Sequence, residues 1–213
     1  MGNTLKTLLF LLLLTTSGCA TVTEKQSTAQ AKIERGVPVV YIHPASLDLY
    51  RQSSICIPPF WVPSPMAEEQ AGRIAGLFKD VLLGQRTFPT VKLVSQTYGD
   101  LEQAIEVGRQ AGTDLVLAGT VNYAVEGTEL GGARVELAVR IINVGTGNTV
   151  WYIGQNMDQP MDYPDNSLLH RATNSLSPPP VRRANGGPAL ANMLSQIAVD
   201  MANVMAGART VRR

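Results

Sequence analysis

The chain has 213 residues, of which 18 are Lys or Arg, 17 are Asp or Glu and two are His, giving a formal net charge of +1. A balance this even leaves no electrostatic footprint for nucleic acid, and two cysteines with two isolated histidines form no Cys/His cluster for zinc. The length suits one domain with a tether.

The first element is an apolar run, Leu8 to Leu14, preceded by Lys6 and followed by Thr15, Thr16, Ser17 and Gly18. It is far shorter than the roughly 18 residues of a membrane span and fits the apolar region of a secretory signal. Its exit, Thr16-Ser17-Gly18-Cys19, resembles a bacterial lipobox, with Thr16 where Leu is commonest. The resemblance implies a signal peptide over 1–18 and a lipidated Cys19 carrying a diacylglycerol thioether and an acylated amine (palmitate). Several acyl chains hold a protein firmly where one does not. Ala20 in place of Asp implies sorting to the outer membrane, on its periplasmic face. An ordinary cleaved signal with an incidental cysteine is the alternative. Lys6 is the one charged residue before Cys19, so the mature chain carries 17 basic and 17 acidic residues. Cys56 is then the one remaining thiol besides the anchor, which excludes an internal disulfide. Set between Ile55 and Ile57, it reads as a buried structural thiol.

Residues 19–37 are polar, without apolar periodicity, and read as a flexible tether. A single periplasmic domain is expected over 38–208, with a basic tail at 209–213. Within it, Ser53–Pro58 reads as a short apolar strand closed by Pro58-Pro59. Ser64 and Pro65 open a helix as N-cap and first residue, whose apolar spacing runs from Ala67 to Gly84. Val91–Ser95 is a second strand. Asp100 with Gln103 predicts a capped helix start, and Gly112 a C-cap. Asp114–Val125 opens with the two-sided apolar run of a central strand. Arg134–Ile142 alternates, with Val135, Leu137, Val139 and Ile141 inward and Arg134, Glu136 and Arg140 outward. Gly145–Asn148 turns into a strand over Thr149–Gln155. Residues 158–188, rich in Pro, Asn, Ser and Gly, form a long irregular excursion. The last helix starts at Pro188, its methionines spaced as core. These elements give the order β-α-β-α-β-β-β-α, an α/β (α+β) domain with a single mixed sheet packed by about three helices.

Catalytic signals are absent from this reading. Glu68-Glu69 suits a helix's first turn. The glycine-rich Gly127–Gly132 lacks the Lys and following helix of a phosphate loop, and no serine sits in a Gly-x-Ser-x-Gly elbow. A non-enzyme without cofactors, apart from the covalent lipid, is expected.

Three strings carry a family resemblance. "SSICIPPFWVP" is similar to the first strand of bacterial envelope lipoproteins of the CsgG/PelC/LpoB/TolB-N-terminal-domain-like group, and "AGTDLVLAGTVNY" and "VELAVRIINVGTGNTVWY" resemble two further strands. The resemblance covers roughly residues 53–157 and implies an anticodon-binding/TolB-N-like fold. It also implies a non-catalytic assembly or export accessory, self-associating and docked on envelope export or assembly proteins, with the inner leaflet of the outer membrane bound through lipid. The alternative within the group is a regulator that activates a cell-wall (peptidoglycan) synthase. A tether of about 17 residues spans only a few nanometres at 5–6 Å × √n, which favours the accessory. The aromatic pair Phe60 and Trp61, on a stiff loop between prolines, and Met161 and Tyr163 in the excursion are the candidate interface residues.

Cys19→Ser is expected to leave an unprocessed precursor that incorporates no labelled palmitate. Normal processing with unchanged detergent partitioning would exclude the lipid anchor.

Overall fold

In the computed structural model, residues 33–62, 68–128, 132–161 and 189–207 are described. Cys19, the helix start at Ser64-Pro65, Tyr163 and nearly all of the excursion lie outside them. The elements are β1 (Glu34–Arg35), β2 (Val39–Ile42), a 3-10 turn (Asp48–Tyr50), β3 (Ser54–Ile57), α1 (Glu68–Gly84), β4 (Thr90–Leu93), α2 (Leu101–Gln110), β5 (Leu115–Val125), β6 (Arg134–Asn143), β7 (Thr149–Asp158) and α3 (Ala189–Met205). Every strand and helix among the described residues lies between Ile33 and Gly207, so the chain from Ala20 onward carries all of these elements.

One mixed sheet runs β1-β7-β6-β5-β3-β4, with β2 also paired to β7. β3 lies parallel to both β4 and β5. Parallel neighbours need long crossovers, and α1 and α2 supply them. β5, β6 and β7 follow one another through short connections and pair antiparallel.

Alternation along the strands sorts the core into two clusters. Ile55, Ile57, Leu115, Leu117, Val135, Leu137, Val139, Ile141 and Ile153 face α1 and α3. Cys56, Val116, Ala118 and Ile142 face α2 on the other side. The run Leu115–Ala118 is therefore buried on both faces, as its two-sided composition predicts. On α1, Ala71, Ile74, Ala75, Phe78 and Leu82 form the buried stripe. On α3 it is Met193, Leu194, Ile197, Ala198, Met201 and Met205, so the methionines are core.

The caps follow the sequence. Asp100 Oδ1 accepts the Gln103 backbone N–H at 2.8 Å, satisfying one orphan donor of α2. Gly112 adopts a left-handed φ of 61° after Ala111, which glycine adopts without steric cost.

Two strands lie where the sequence reading placed none. The sheet begins at Glu34, inside the stretch read as tether, because Glu34 and Arg35 pair with Asp158 and Met157 of β7. Next, β2 pairs with Gly154–Tyr152 of the same strand. Arg35 looks like a tether residue only until its partner is known, and that partner, Asp200, is 165 positions away. The last strand also runs on to Asp158 rather than stopping at Gln155, since β1 and β2 pair along its outer side.

Val139 is fully buried among the α1/α3-facing residues, whereas the Arg140 guanidinium lies outside, 4.4 Å from the Tyr152 ring centroid. Val139→Asp should bury an unpaired carboxylate and cost several kcal/mol. Arg140→Ser, losing one cation–π contact at a partly exposed site, should cost under ~1 kcal/mol. Urea unfolding of the two variants compares them; equal losses would contradict this assignment of faces.

A candidate interface at the sheet edge

The two aromatic neighbours Phe60 and Trp61 separate as soon as the chain leaves β3. Phe60 is only 2% exposed. Its ring lies 4.9 Å from Phe78 and covers Gly119, where a Cβ would come within 2.2 Å of it. Phe60 is thus spent on the chain's own core and is corrected from interface to core residue. Trp61 is held beside β5: its backbone N–H donates to Gly119 O and its carbonyl accepts from Val121 N–H, both at 2.8 Å. Its side chain is 52% exposed. Tyr98, tucked below, donates its hydroxyl to Gly119 O at 2.7 Å. Burial pushes that phenol up to about 12, so it remains a donor throughout the physiological range.

Met161 is exposed and lies over Gly132, while Tyr163 falls outside the described residues. Trp61 bridges to Thr120, and Gly132 precedes Arg134, the residue opposite Val125. That places Trp61 and Met161 on the order of 15 Å apart along β5 at ~3.3 Å per residue. The structure does not bring them together.

What sequence reasoning missed is the edge strand. Val39, Val40, Tyr41 and Ile42 are all exposed, Tyr41 most so at 61%. Among the described residues β2 pairs on one side, with β7, so its other side presents unpaired backbone donors and acceptors flanked by apolar side chains. Such an edge invites another chain. The signal was available: Pro38 followed by Val-Val-Tyr-Ile is a run of strand-forming residues entered through a proline, which sheets place at edges and strand starts.

Aromatic stacking shapes the outward face of this edge. Tyr41 and Tyr152 stack with centroids 4.7 Å apart and planes at 30°, and Arg140 lies on Tyr152 from the β6 side. A Cβ at residue 154 would sit 3.3 Å from the Tyr41 ring, so Gly154 lets that ring approach the sheet.

The edge is pinned from behind by a buried acid. Asp200 of α3 is fully buried and ion-pairs with Arg35, whose Nε donates to Oδ2 at 2.6 Å. Gln155 Nε2 donates to the same oxygen at 2.6 Å and to Gly36 O at 2.8 Å, while Gln196 Nε2 donates to Oδ1 at 3.3 Å. One carboxylate thus ties β1, β7 and α3 together.

Little here resembles a reaction centre. Among the described residues no three His, Cys, Asp or Glu side chains cluster to hold a metal. Burial pushes the Cys56 thiol up, overcoming a lowering hydrogen bond with Thr113, which keeps it protonated and unreactive. The Asp114 carboxyl is held below its usual range by the Ser54 backbone N–H and hydroxyl, both at 2.8 Å. That pair ties the start of β3 to the start of β5.

Comparison with solved structures fits this geometry. The PelC dodecamer from Paraburkholderia phytofirmans matches 82% of this chain and 99% of its own, at 15% identity and a TM-score of 0.53. The chain has the fold of PelC. A variant of the same protein scores 0.55 at 14% identity. The LpoB C-terminal domain from Salmonella enterica matches 51% of this chain and 85% of its own, at 17% identity and a TM-score of 0.36. No family model matches the chain, and no curated protein matches it in sequence. The envelope-lipoprotein resemblance seen in the strand strings therefore holds at the level of fold.

Arg35→Ala should leave Asp200 buried without its cation. Losing one partner of a fully buried pair costs 3–5 kcal/mol; with the Arg35 side chain 30% exposed, about 2–3 kcal/mol is expected once water is admitted. Adding Asp200→Asn should recover part of that loss, because a neutral amide needs no counter-charge. Chemical denaturation of both variants tests this, and a loss below ~0.5 kcal/mol for Arg35→Ala would remove the pin.

Proposed function

We propose that the chain is a non-catalytic accessory lipoprotein of the bacterial envelope. It is anchored through Cys19 at the periplasmic face of the outer membrane, assembles with copies of itself, and serves an export or assembly machine. The observation that carries this reading is β2, a four-residue edge strand with every side chain exposed and, among the described residues, an unpaired backbone edge. A monomer in water gains nothing from such a surface, whereas a second copy would cover it. The solved PelC with this fold is a dodecamer, which supports self-association as the use of the edge.

Two physical conditions favour assembly. The mature chain is near neutral, so no long-range repulsion keeps copies apart. Tethering many copies to one membrane surface raises their effective concentration. The contact is proposed to be head-to-tail and closing, a ring rather than a filament.

Sedimentation velocity on the chain from Ala20 onward, at tens of micromolar, is expected to show species well above monomer mass. Val39→Lys, placing a charge on the open edge, should shift the distribution toward monomer without lowering the melting temperature; Trp61→Ala is the comparison for the second exposed aromatic. A wild-type chain that remains monomeric throughout would favour the synthase-activating regulator instead.

A further inference from the structure

We propose that a cavity at the opposite end of β7 from β1 binds an amphiphilic anion, a carboxylate or phosphate head on a short alkyl body. The cavity, about 320 Å³, lies between the 3-10 turn, the connection from α1 to β4 and the C-terminal end of α3. That volume is within the range of small-ligand sites. Its apolar walls come from Leu47, Tyr50, Phe88, Trp151 and Met205, and Arg51 and Arg86 supply the cationic part of its lining.

Three independent features give the cavity its polarity. First, the Trp151 indole N–H is buried without a hydrogen-bond partner among the described residues, in a residue only 1% exposed. Tyr50, Phe88 and His43 surround that indole with centroids 5.4, 6.1 and 6.5 Å away and planes steeply inclined to it, and none of them accepts its N–H. A buried orphan donor is costly, and an indole N–H can be satisfied only by an acceptor. The Thr87 hydroxyl, also in the lining, is buried without a partner too.

Second, Arg86 has a φ of 53° and is the one non-glycine described in the left-handed region. It ends α1: its backbone N–H donates to Leu83 O and the Thr87 N–H to Leu82 O. Helices usually put glycine at that position. A strained residue where glycine would fit better points to a use for its side chain, and no ion pair forms between Arg86 and a described carboxylate. Third, Arg51 stands in the same lining, its guanidinium shared with the exposed Asp48 at 3.1 Å.

The lining thus sets two cationic side chains, Gln52 and two unpartnered polar groups, the Trp151 N–H and the Thr87 hydroxyl, against apolar walls. A neutral alkyl ligand would leave the Arg86 guanidinium without a counter-charge, and a simple inorganic ion would leave the apolar wall uncovered. An anion with an alkyl body matches both. Such a molecule can be free in solution or be a lipid of the membrane surface.

The test uses the chain from Ala20 onward, labelled with ¹⁵N, and reads its two indole N–H signals. Sodium decanoate below its micellar concentration should move the Trp151 signal saturably and leave Trp61 in place. Decanol should bind at least about tenfold more weakly, the usual worth of a charge-assisted hydrogen bond. Arg86→Gly should raise the melting temperature by relieving the backbone while weakening decanoate at least about tenfold. Phosphatidylglycerol vesicles form the second arm: a Trp151 response to vesicles assigns the site to a membrane lipid, and a response to decanoate alone assigns it to a free anion. The proposal is overturned if decanol matches decanoate, if Arg86→Gly binds as well as wild type, if Trp61 moves together with Trp151, or if neither probe moves Trp151.

Discussion

A carboxylate sealed inside a protein must be met by a cation and by hydrogen-bond donors, or the fold cannot keep it ionised there. Asp200 sets that condition on this chain. Its helix, α3, comes last in the sequence, and the cation that meets it, Arg35, comes before the first long strand. Closing that pair brings β1 against α3 and fixes where β1 starts. Gln155 then bridges Asp200 to the Gly36 carbonyl, which sets the position from which β2 runs along β7. The exposed edge that defines the outer surface of the molecule thus depends on a contact buried behind it.

The middle of the chain was readable because its residues speak to near neighbours. The alternation from Val135 to Ile141, the capping pair Asp100 and Gln103, and the left-handed Gly112 all depend on contacts within a few positions, and the strands and caps follow them. The N-terminal strands were not readable for the opposite reason. Glu34 and Arg35 look like solvated tether residues, and the contact that makes them a strand is supplied by α3 and β7. The candidate interface divided on the same principle. The Phe60-Trp61 pair is visibly aromatic, yet which ring turns inward depends on a glycine 59 residues later in sequence, Gly119, whose missing side chain leaves room for Phe60. With that space filled, Trp61 is the ring left outside.

The two ends of this sheet are not equivalent. β4 closes one edge as a short strand of Thr, Val, Lys and Leu, with Lys92 donating to the Ala111 carbonyl at 2.8 Å. A lysine along an edge is a usual means of blunting it. The β2 edge, in contrast, carries Val, Val, Tyr and Ile and no charge. The two edges therefore differ, one carrying a charge and the other none, and that asymmetry is what the proposed self-association draws on.

Alternation along β7 joins this edge to the cavity. Successive strand residues point to opposite faces, so Trp151 enters the wall of the cavity while Tyr152, its neighbour, stacks on Tyr41 at the edge. β2 reaches the same place, with Ile42 opposite Tyr152 after an irregularity in its register. A peptide unit shared by two sites cannot shift for one without shifting for the other. The backbone here is held on both sides, by β6 through Ile141 and Arg140 and by β2 through Ile42, so a small movement of the Trp151 ring is more readily absorbed by the side chains than by the strand. On that mechanical ground the cavity and the edge behave as separate sites on a common support, with the sheet holding each in place and α3, fixed through Asp200, holding the sheet.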